Sequence, residues 1–380
     1  MSGPRIAIIG AGMSGSVCAW ALRRAGLSVT VFEMGRGGGG RMATRKSRNL
    51  EGFAANHGCP AFTASQPWFK SMVQQLMDEH VVRVWSGRFG AYDAGTQTAT
   101  EDPAPQVMYV GSPGMSSICD KLLSDAERCF ETQVTSFERK AERWVLTDKN
   151  AKEVGTFDWL VISSHSLAHP RWTQIFKTPP PLQTAAATLG SPAATQMIEY
   201  MSRVQTVPVM VLMLVYPVQE EKWSKWPLDM ATVNGSNTLG KVVRQSMGPA
   251  YTVIVAHSTH SFAEKYRHVV GSTGTAARMG ADTDAKKEEE VIQELYDAFV
   301  QCVRPFVGDV PKPLVDPILH RWGNCFPLPS EATVPVLARD VNLVCCGDHL
   351  GPSAGSVEAA AVSGFEGAQS IIAAMQPGKL

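Results

Sequence analysis

Residues 5–45, RIAIIGAGMSGSVCAWALRRAGLSVTVFEMGRGGGGRMATR, decide the fold of this part of the chain. A β-branched run at 5–9 predicts a strand, and the glycine motif GxGxxG follows at once at 10–15. A helix is predicted over 17–24 and a second strand over 27–33. Strand, glycine turn, helix and strand form a βαβ unit, the context in which GxGxxG indicates a dinucleotide site.

Each residue of the motif has a physical task in such a site. The first glycine makes the tight turn, the second lets the backbone approach a pyrophosphate, and the third lets the helix pack against the strand. The pyrophosphate lies at the helix N-terminus. The acid that ends the second strand accepts hydrogen bonds from ribose hydroxyls and disfavours a 2′-phosphate there. The predicted binding residues are Gly10, Ala11, Gly12, Met13, Ser14, Gly15 and Glu33.

A second glycine cluster occupies residues 35–40, directly after the acid-terminated strand. Helix is excluded there because consecutive glycines lose too much backbone entropy. A loop this flexible can fold over the dinucleotide and bring the guanidinium of Arg41 or Arg45 beside its pyrophosphate. The alternative is a mobile surface loop with solvated arginines.

The combination of GxGxxG, a terminal acid and a Gly-Gly-Arg-Met loop is the pattern of flavin amine oxidases and their relatives. More closely, GRGGGGRMATR (35–45) followed by NHGCPAFTA (56–64) resembles the renalase family. Further segments that resemble the family, in the same order, are VWSGRFGAY (84–92), YVGSPGMSSI (109–118), FDWLVISSHSLAHP (157–170), HRWGNCFP (320–327) and CCGDHLGPSAGSVEAAAVSG (345–364). Residues 171–319 carry little of the resemblance.

The resemblance implies non-covalent FAD as the cofactor. It assigns further cofactor contacts to Gly40, Arg41, Met42, Asn56, His57, Gly58, Val134, Gly347, Asp348, Ser356 and Val357. In the last segment, an acid at a strand tip would contact the ribityl chain, and a helix N-terminus would face the edge of the ring where negative charge develops on reduction. The alternative there is an ordinary βα turn capped by Ser356.

The chain also departs from the family pattern near the expected flavin ring. Asn56 stands where Asp is common, and Cys59-Pro60 replace an Ala and a polar or aromatic residue. His349-Leu350 stand where Trp is frequent, and Asn324-Cys325 replace an aromatic-alanine pair. These differences from the family pattern affect the expected identity of the substrate more than that of the cofactor.

The resemblance implies an oxidase that takes a hydride from isomeric dihydronicotinamides, the 2- or 6-dihydro forms of NAD(P). Flavin N5 would accept the hydride, and O2 would reoxidise the flavin to give hydrogen peroxide and NAD(P)+. One alternative is a flavin amine oxidase acting on a small amine. Another is a non-catalytic FAD-binding protein.

Candidate catalytic residues are His57, Arg88, Trp322 and His349, with Phe62 and Trp85 as further candidates for the pocket wall. A structural or core role is the competing interpretation for each histidine and each aromatic side chain. Hydride transfer to a flavin requires positioning and stabilisation of the reduced ring rather than a nucleophile. The lack of a Ser/His/Asp pattern is therefore expected.

The predicted fold is α/β, with a discontinuous Rossmann-like FAD-binding domain and a mixed-sheet α+β substrate domain, as in p-hydroxybenzoate hydroxylase. The FAD-binding domain is predicted at 1–64, 106–165 and 335–380, and the substrate domain at 65–105 and 166–334. Within the first, a helix is predicted over 114–129.

Composition restricts the remaining possibilities. The 380 residues contain 35 Lys+Arg and 35 Asp+Glu, a balance that predicts no nucleic-acid or anionic-membrane partner. The longest apolar run, 207–215, is too short to span a bilayer. Eight cysteines without CxxC spacing predict free thiols, no metal site and a reducing compartment. We therefore expect a cytoplasmic monomer or weak dimer, or an organellar protein if a transit peptide has been removed, acting on a small molecule and O2.

Overall fold

A computed structural model describes residues 3–47, 49–330, 334–351 and 353–375. Twenty strands alternate with helices along these ranges, in the α/β pattern that the sequence predicts. The strands are β1 (Arg5–Ile9), β2 (Ser28–Phe32), β3 (Thr44–Lys46), β4 (Ala54–Asn56), β5 (Val82–Val84), β6 (Phe89–Asp93), β7 (Thr98–Glu101), β8 (Tyr109–Gly111), β9 (Glu127–Cys129), β10 (Val134–Lys140), β11 (Arg143–Asp148), β12 (Glu153–Phe157), β13 (Trp159–Ile162), β14 (Thr206–Pro217), β15 (Met230–Asn234), β16 (Leu239–Gln245), β17 (Tyr251–Ser258), β18 (Ile318–Pro327), β19 (Leu337–Ala338) and β20 (Leu343–Cys345).

Ten α-helices accompany the strands in the described part of the chain. They are α1 (Met13–Arg24), α2 (Pro67–Asp78), α3 (Ser116–Leu122), α4 (Arg171–Phe176), α5 (Pro181–Leu189), α6 (Pro192–Arg203), α7 (His260–Lys265), α8 (Thr275–Arg278), α9 (Ala285–Val307) and α10 (Val357–Met375). Of the helices so described, none is both long and apolar enough to cross a membrane.

The nucleotide-binding half is a six-stranded sheet in the order β19-β20-β13-β1-β2-β9. Its strands come from three distant parts of the chain, and all neighbours are parallel except β19 and β20. One face of this sheet buries its apolar residues against α1 and α10, and the other face buries them against β10–β12, α5 and α6, as expected for a parallel sheet covered on both faces. The carboxyl ends of β1, β2 and β20 therefore meet at one edge, where ligands bind in such folds.

The second half is a seven-stranded mixed sheet in the order β18-β14-β17-β16-β15-β6-β7. Alternation along β14 sends Met210, Leu212 and Leu214 to a core shared with α9. It sends Val209 and Val211 to the opposite face, which packs on Phe53 and Ala55 beside β4. The second sheet thus turns one face toward the nucleotide-binding half.

These two sheets confirm the predicted fold class, whereas one element prediction was wrong. The helix predicted over 114–129 ends at Leu122, and Glu127–Cys129 form strand β9 instead. Pairing with β2 decides the outcome, since the Thr30 hydroxyl also donates to Glu127 at 2.7 Å. The domain boundaries stay a prediction, and residues 1–2 and 376–380 of the predicted ranges lie outside the described residues.

Candidate active site

The first glycine turn is built for close contact between β1 and α1. A Cβ placed on Gly15 would lie 2.0 Å from the carbonyl oxygen of Gly10, so that only glycine fits without movement of the backbone. A Cβ on Gly12 would meet nothing within 4 Å. Gly12 precedes Met13 and Ser14 in the first turn of α1 and supplies no side-chain cap. The helix therefore presents backbone N–H groups to open space, a geometry that suits a pyrophosphate.

Glu33 is fixed beside this turn by two backbone donors. Its carboxylate accepts from the Ala11 N–H at 3.0 Å and from the Gly35 N–H at 2.6 Å. Burial raises the pKa of Glu33, and the two N–H donors act against that rise. The carboxylate is thus held where the acid of a dinucleotide fold contacts the ribose.

The second glycine cluster folds back onto the first. The Gly39 N–H donates to the Ala11 carbonyl at 2.8 Å, and Gly39 forms an isolated parallel bridge with Gly12. Gly39 has φ +119°, a conformation that other residues rarely adopt. A short 3-10 turn over Gly40–Met42 follows, and Met42 is buried. The loop therefore lies against the dinucleotide turn rather than out in solvent.

Arg41, at the end of that loop, reaches the tip of β20. Its two terminal nitrogens each lie 2.6 Å from an oxygen of Asp348, in a bidentate ion pair. The Asp348 side chain is 7% exposed and that of Arg41 is 31% exposed. Two predicted cofactor residues, 307 positions apart, are thus brought into direct contact. Gly347, with φ +148°, turns the chain so that Asp348 follows β20 at this edge.

His349 continues the same cluster away from the glycine loop. Its ring lies 5.2 Å from the ring of His165, and its carbonyl accepts from the Tyr200 hydroxyl at 2.7 Å. Burial, followed by the charge of Arg41, lowers the pKa of His349 to about 3. His349 is therefore neutral and fully buried beside Asp348.

Asn56 joins the two halves of the molecule. Its backbone N–H donates to Gln245 Oε1 at 2.9 Å, and its carbonyl accepts from Gln245 Nε2 at 2.8 Å. Its side-chain oxygen accepts from the Thr44 hydroxyl and the Met115 N–H. These bonds hold β4, and the His57-Gly58 step after it, between the glycine loop and the second sheet.

Gly58 is packed between Arg41 and Trp322. A Cβ on Gly58 would lie 2.2 Å from the Arg41 carbonyl oxygen and 3.0 Å from Trp322 Cζ2. The Trp322 indole N–H donates to the His57 carbonyl at 3.1 Å, and the His57 and Trp322 rings stack at 5.1 Å. The His320 ring lies 4.6 Å from that of His57. The structure thus brings together two predicted catalytic residues, His57 and Trp322, next to the loop of Arg41.

Strand register places more polar side chains on the same sheet face. Lys241 of β16 pairs with His257 of β17, His257 pairs with Val211 of β14, and Val211 pairs with His320 of β18. Directly paired residues share a face of the sheet, and Trp322 shares it with His320, two positions away. We call Lys241, His257, His320, Trp322 and the adjoining His57 the histidine face.

Of the three histidines of this face, His57 and His257 are buried and His320 is half-buried, and all three are uncharged near neutral pH. Burial lowers the pKa of His57 to about 4 and that of His257 to about 3, and it holds the pKa of His320 well below its usual range. The charges of Lys241 and Arg45 act in the same direction. One ring nitrogen on each, His57 Nδ1, His257 Nε2 and His320 Nδ1, is buried without a hydrogen-bond partner among the described residues.

Arg88 lies apart from this cluster. Its side chain is 43% exposed and pairs with Asp229 at 3.5 Å, next to Arg244. Arg244 is three residues along β16 from Lys241, about 10 Å at strand spacing. A cavity of about 680 Å³ opens there, and Trp85 contributes to its wall. Phe62 packs instead in a core with Phe69 and Tyr109.

Three remaining predicted residues lie near the ends of the cofactor region. Val134 begins β10 and is 2% exposed. Ser356 caps α10, because its hydroxyl accepts from the Ala359 N–H at 3.0 Å, and Val357 is the first residue of that helix. The turn is thus a βα turn capped by Ser356, as the alternative interpretation predicts. A contact of Val357 with the flavin stays a proposal.

These features fit FAD. The uncapped start of α1 suits its pyrophosphate, Glu33 its adenosine ribose, and Asp348 its ribityl chain. The backbone at Gly58, close to both Arg41 and Trp322, would border the ring. The Cys59 thiol, with a pKa raised to about 11 by burial, stays protonated near neutral pH. No group of three or more metal-ligating side chains occurs within 3–47, 49–330, 334–351 and 353–375.

Comparison with known proteins agrees with this assignment of fold. Residues 8–76 match the family of NAD(P)-binding Rossmann-like domains. Solved structures of the same architecture include a putrescine oxidase variant, with a TM-score of 0.64 at 14% identity, covering 98% of this chain and 99% of that one. The cyclohexylamine oxidase of Brevibacterium oxydans IH-35A has a TM-score of 0.65 at 12% identity, over 98% and 99% of the two chains.

An oxidoreductase from Methanosarcina mazei is also similar, with a TM-score of 0.61 at 12% identity, covering 97% of this chain and all of that one. The fold is therefore that of flavin amine oxidases, and these structural neighbours are oxidoreductases. A curated relative is the bifunctional protein MnmC of tRNA 5-methylaminomethyl-2-thiouridine biosynthesis from Magnetococcus marinus, 26% identical over 199 residues. That match covers 43% of this chain and 30% of the relative's length.

Four residues of the site were not predicted from the sequence. Only the register of β16, β17, β14 and β18 places Lys241 and His257 on the same sheet face as His320. Gln245 contacts Asn56 across 189 positions. In the HRWGNCFP segment, His320 lies two positions before Trp322, so a strand there would place both side chains on one face. That spacing could have predicted His320 as a neighbour of Trp322.

Proposed function

We propose that the chain binds FAD non-covalently and is an oxidase of isomeric dihydronicotinamides, the 2- and 6-dihydro forms of NAD(P), producing NAD(P)+ and, from O2, hydrogen peroxide. Bound FAD would supply the hydride acceptor and the reaction with oxygen. We further propose a monomer or weak dimer in the cytoplasm, with the domain boundaries predicted above.

The charge of the histidine face is the observation that carries this proposal. Its titratable members are three neutral histidines and Lys241, and the cation Arg45 also acts on His57. A protonated amine would meet a positive potential there, whereas a dinucleotide carries negative phosphates and an uncharged dihydropyridine ring. The face therefore favours the dihydronicotinamide over a cationic substrate.

Residues of the histidine face can also pack against the planar dihydropyridine ring of the donor. The stacked rings of His57 and Trp322 form an aromatic wall, and Gly58 keeps the backbone close to it. The unpaired nitrogens of His257 and His320 can donate to or accept from a carboxamide. Their role in this proposal is to orient the donor and exclude water, which are the main tasks of a protein in hydride transfer.

A second candidate, a flavin amine oxidase, is favoured by a different observation. The 680 Å³ cavity near Trp85 is lined by Glu220, Glu221 and Asp229, carboxylates that would attract a cationic amine. Asp229 already pairs with Arg88 and Arg244, which reduces its share of that attraction. The structural neighbours named for putrescine and cyclohexylamine are amine oxidases, and a small amine is the substrate class that this alternative would take.

Anaerobic reduction of the FAD-loaded protein separates the candidates. We expect rapid bleaching of the flavin absorbance by NADH that contains the 2- and 6-dihydro isomers, and slow or no bleaching by pure 4-dihydro NADH, putrescine or cyclohexylamine. Bleaching by the amines alone would overturn the proposal in favour of the amine oxidase. Failure of every donor to reduce a fully loaded flavin would instead support a non-catalytic FAD-binding protein.

A further inference from the structure

Two guanidinium groups, one buried and one half-buried, converge on Gly323 of β18. A Cβ on Gly323 would lie 2.7 Å from Arg321 Nη2, 2.9 Å from Arg171 Nη2 and 3.0 Å from Arg171 Nε. Arg321 shares the strand with Gly323, two positions before it, and Arg171 is the first residue of α4. One arginine therefore comes from the second sheet and the other from the segment that follows β13.

The two guanidiniums are only partly satisfied by the protein. Arg171 Nη2 donates to the Arg267 carbonyl at 3.3 Å, and Arg321 Nη1 donates to the Val269 carbonyl at 2.8 Å. The Nε–H of each is buried and has no hydrogen-bond partner within the described residues. Arg171 is 6% exposed. Buried donors are nearly always paired, so an unpaired N–H on each of two adjacent arginines indicates a missing acceptor.

Charge leads to the same conclusion. Burial, and then the neighbouring Arg267, lower the pKa of Arg171 to about 10, which still leaves it a cation at neutral pH. Glu264 is the carboxylate that acts on Arg171, and it already pairs with Arg267 at 2.8 Å. Among the described residues, three cations thus face one anion, and like charges held close together and poorly solvated are costly without a counter-ion.

We propose that Arg171 and Arg321, with Arg267 at the open side, bind a phosphate group at the junction of the two halves. Their excess of two positive charges matches a phosphate monoester or inorganic phosphate, which carries about −1.5 to −2 near pH 7. Guanidinium forks suit its oxygens, and the Arg267 side chain, 52% exposed, leaves a way in from solvent. None of these three arginines is among the proposed FAD contacts.

Titration of the FAD-loaded protein with inorganic phosphate, followed by calorimetry, tests the proposal. We expect saturable binding, at least tenfold weaker in Arg171→Gln and Arg321→Gln. Gly323→Ala retains every charge, but its methyl group would lie 2.7 to 3.0 Å from both guanidiniums and would displace them, so the same loss is expected. Arg203→Gln, which removes an arginine with a 78% exposed side chain on α6, is the matched control and should bind as the wild type.

Absence of binding by the wild-type protein at millimolar phosphate would overturn the proposal, and this result does not depend on whether a variant folds. Undiminished binding by all three variants would overturn it too. A second titration distinguishes the source of the group, and this arm alone rests on the proposed function. Competition by NADP+ but not NAD+ assigns the site to a 2′-phosphate on the donor, whereas binding without competition assigns it to free phosphate.

Discussion

The dinucleotide cradle and the histidine face are specified in opposite ways. The cradle consists of the first glycine turn, the glycine loop packed on it and Glu33. Its members lie within 30 positions of one another and take their geometry from a local βαβ unit; they include Gly10, Gly15, Glu33 and Gly39. In the histidine face, Lys241, His257 and His320 come from three strands and meet His57 only through long-range register. A local motif reveals its chemistry in sequence, whereas a face assembled by pairing reveals it only in the folded chain.

The largest effect is expected at the cradle. In Gly15→Ala the new methyl group lies 2.0 Å from the Gly10 carbonyl oxygen, so the free energy of unfolding of the apo-protein should fall by about 3 kcal/mol. Gly12→Ala meets nothing within 4 Å and should change that free energy by less than about 1 kcal/mol. Urea unfolding measures both.

Titration with FAD measures a second difference between the two positions, the affinity for the cofactor. Gly12→Ala should weaken FAD binding despite its normal apo stability, because its methyl group occupies the approach of the pyrophosphate. Wild-type FAD affinity in Gly12→Ala would show that the dinucleotide does not lie against this turn.

The next largest effect is expected at the contact between the glycine loop and β20. Asp348→Asn removes the charge from a bidentate pair whose aspartate is buried, and we expect the apo-protein to lose about 2 kcal/mol and to bind FAD more weakly. Lys140→Gln breaks the exposed pair with Glu138, which solvent screens, and should leave stability unchanged within error. Equal losses in the two variants would contradict the account of this ion pair.

A smaller loss is expected where the two regions join. Gln245→Leu removes both hydrogen bonds to the Asn56 backbone, which should lower the free energy of unfolding by about 1.5 kcal/mol. Gln293→Leu removes a side-chain bond on the exposed surface of α9 and should change it by less than about 0.5 kcal/mol. If thermal unfolding finds no difference, Gln245 does not hold β4 to the sheet.

The smallest effect concerns acid stability of the histidine face. The folded-state pKa of His57, about 4, lies below its unfolded value of about 6.5. The unfolded chain therefore binds more protons between these values, and stability is lost as the pH falls from about 6.5 toward 4. One pH unit below the unfolded-state pKa, His57→Gln should remove about 1.4 kcal/mol of that loss. Trp322→Phe, which alters the same stack without a titratable group, should leave the pH dependence unchanged.

Much of the cradle could be predicted from sequence because its constraints are local. The spacing of the glycines within a strand-helix-strand unit predicts the positions of Gly12 and Glu33, and residues 35–40 are predicted as a loop because glycine disfavours helix. The contact of Arg41 with Asp348 follows from both lying at one sheet edge, but its bidentate geometry does not. The helix predicted over 114–129 failed at its end because pairing with β2 overrides local propensity.

The histidine face was largely beyond sequence reasoning. A single histidine in a strand gives no sign of its neighbour, since shifting the register by one residue would turn His257 to the other side of the sheet. His57 and Trp322 were found through resemblance to a family, and Lys241 was not found at all. Arg88, selected from the same kind of resemblance, lies at the surface with Asp229.

The central claim is that cradle and histidine face form one active site. The most direct measurement is the rate of anaerobic flavin reduction by the 2- and 6-dihydro isomers in Lys241→Met, compared with the wild type at equal FAD occupancy. We expect Lys241→Met to reduce its flavin at least about tenfold more slowly than the wild type, equivalent to about 1.4 kcal/mol of transition-state free energy. Its FAD affinity should be unchanged. An unchanged rate of reduction in Lys241→Met would contradict it.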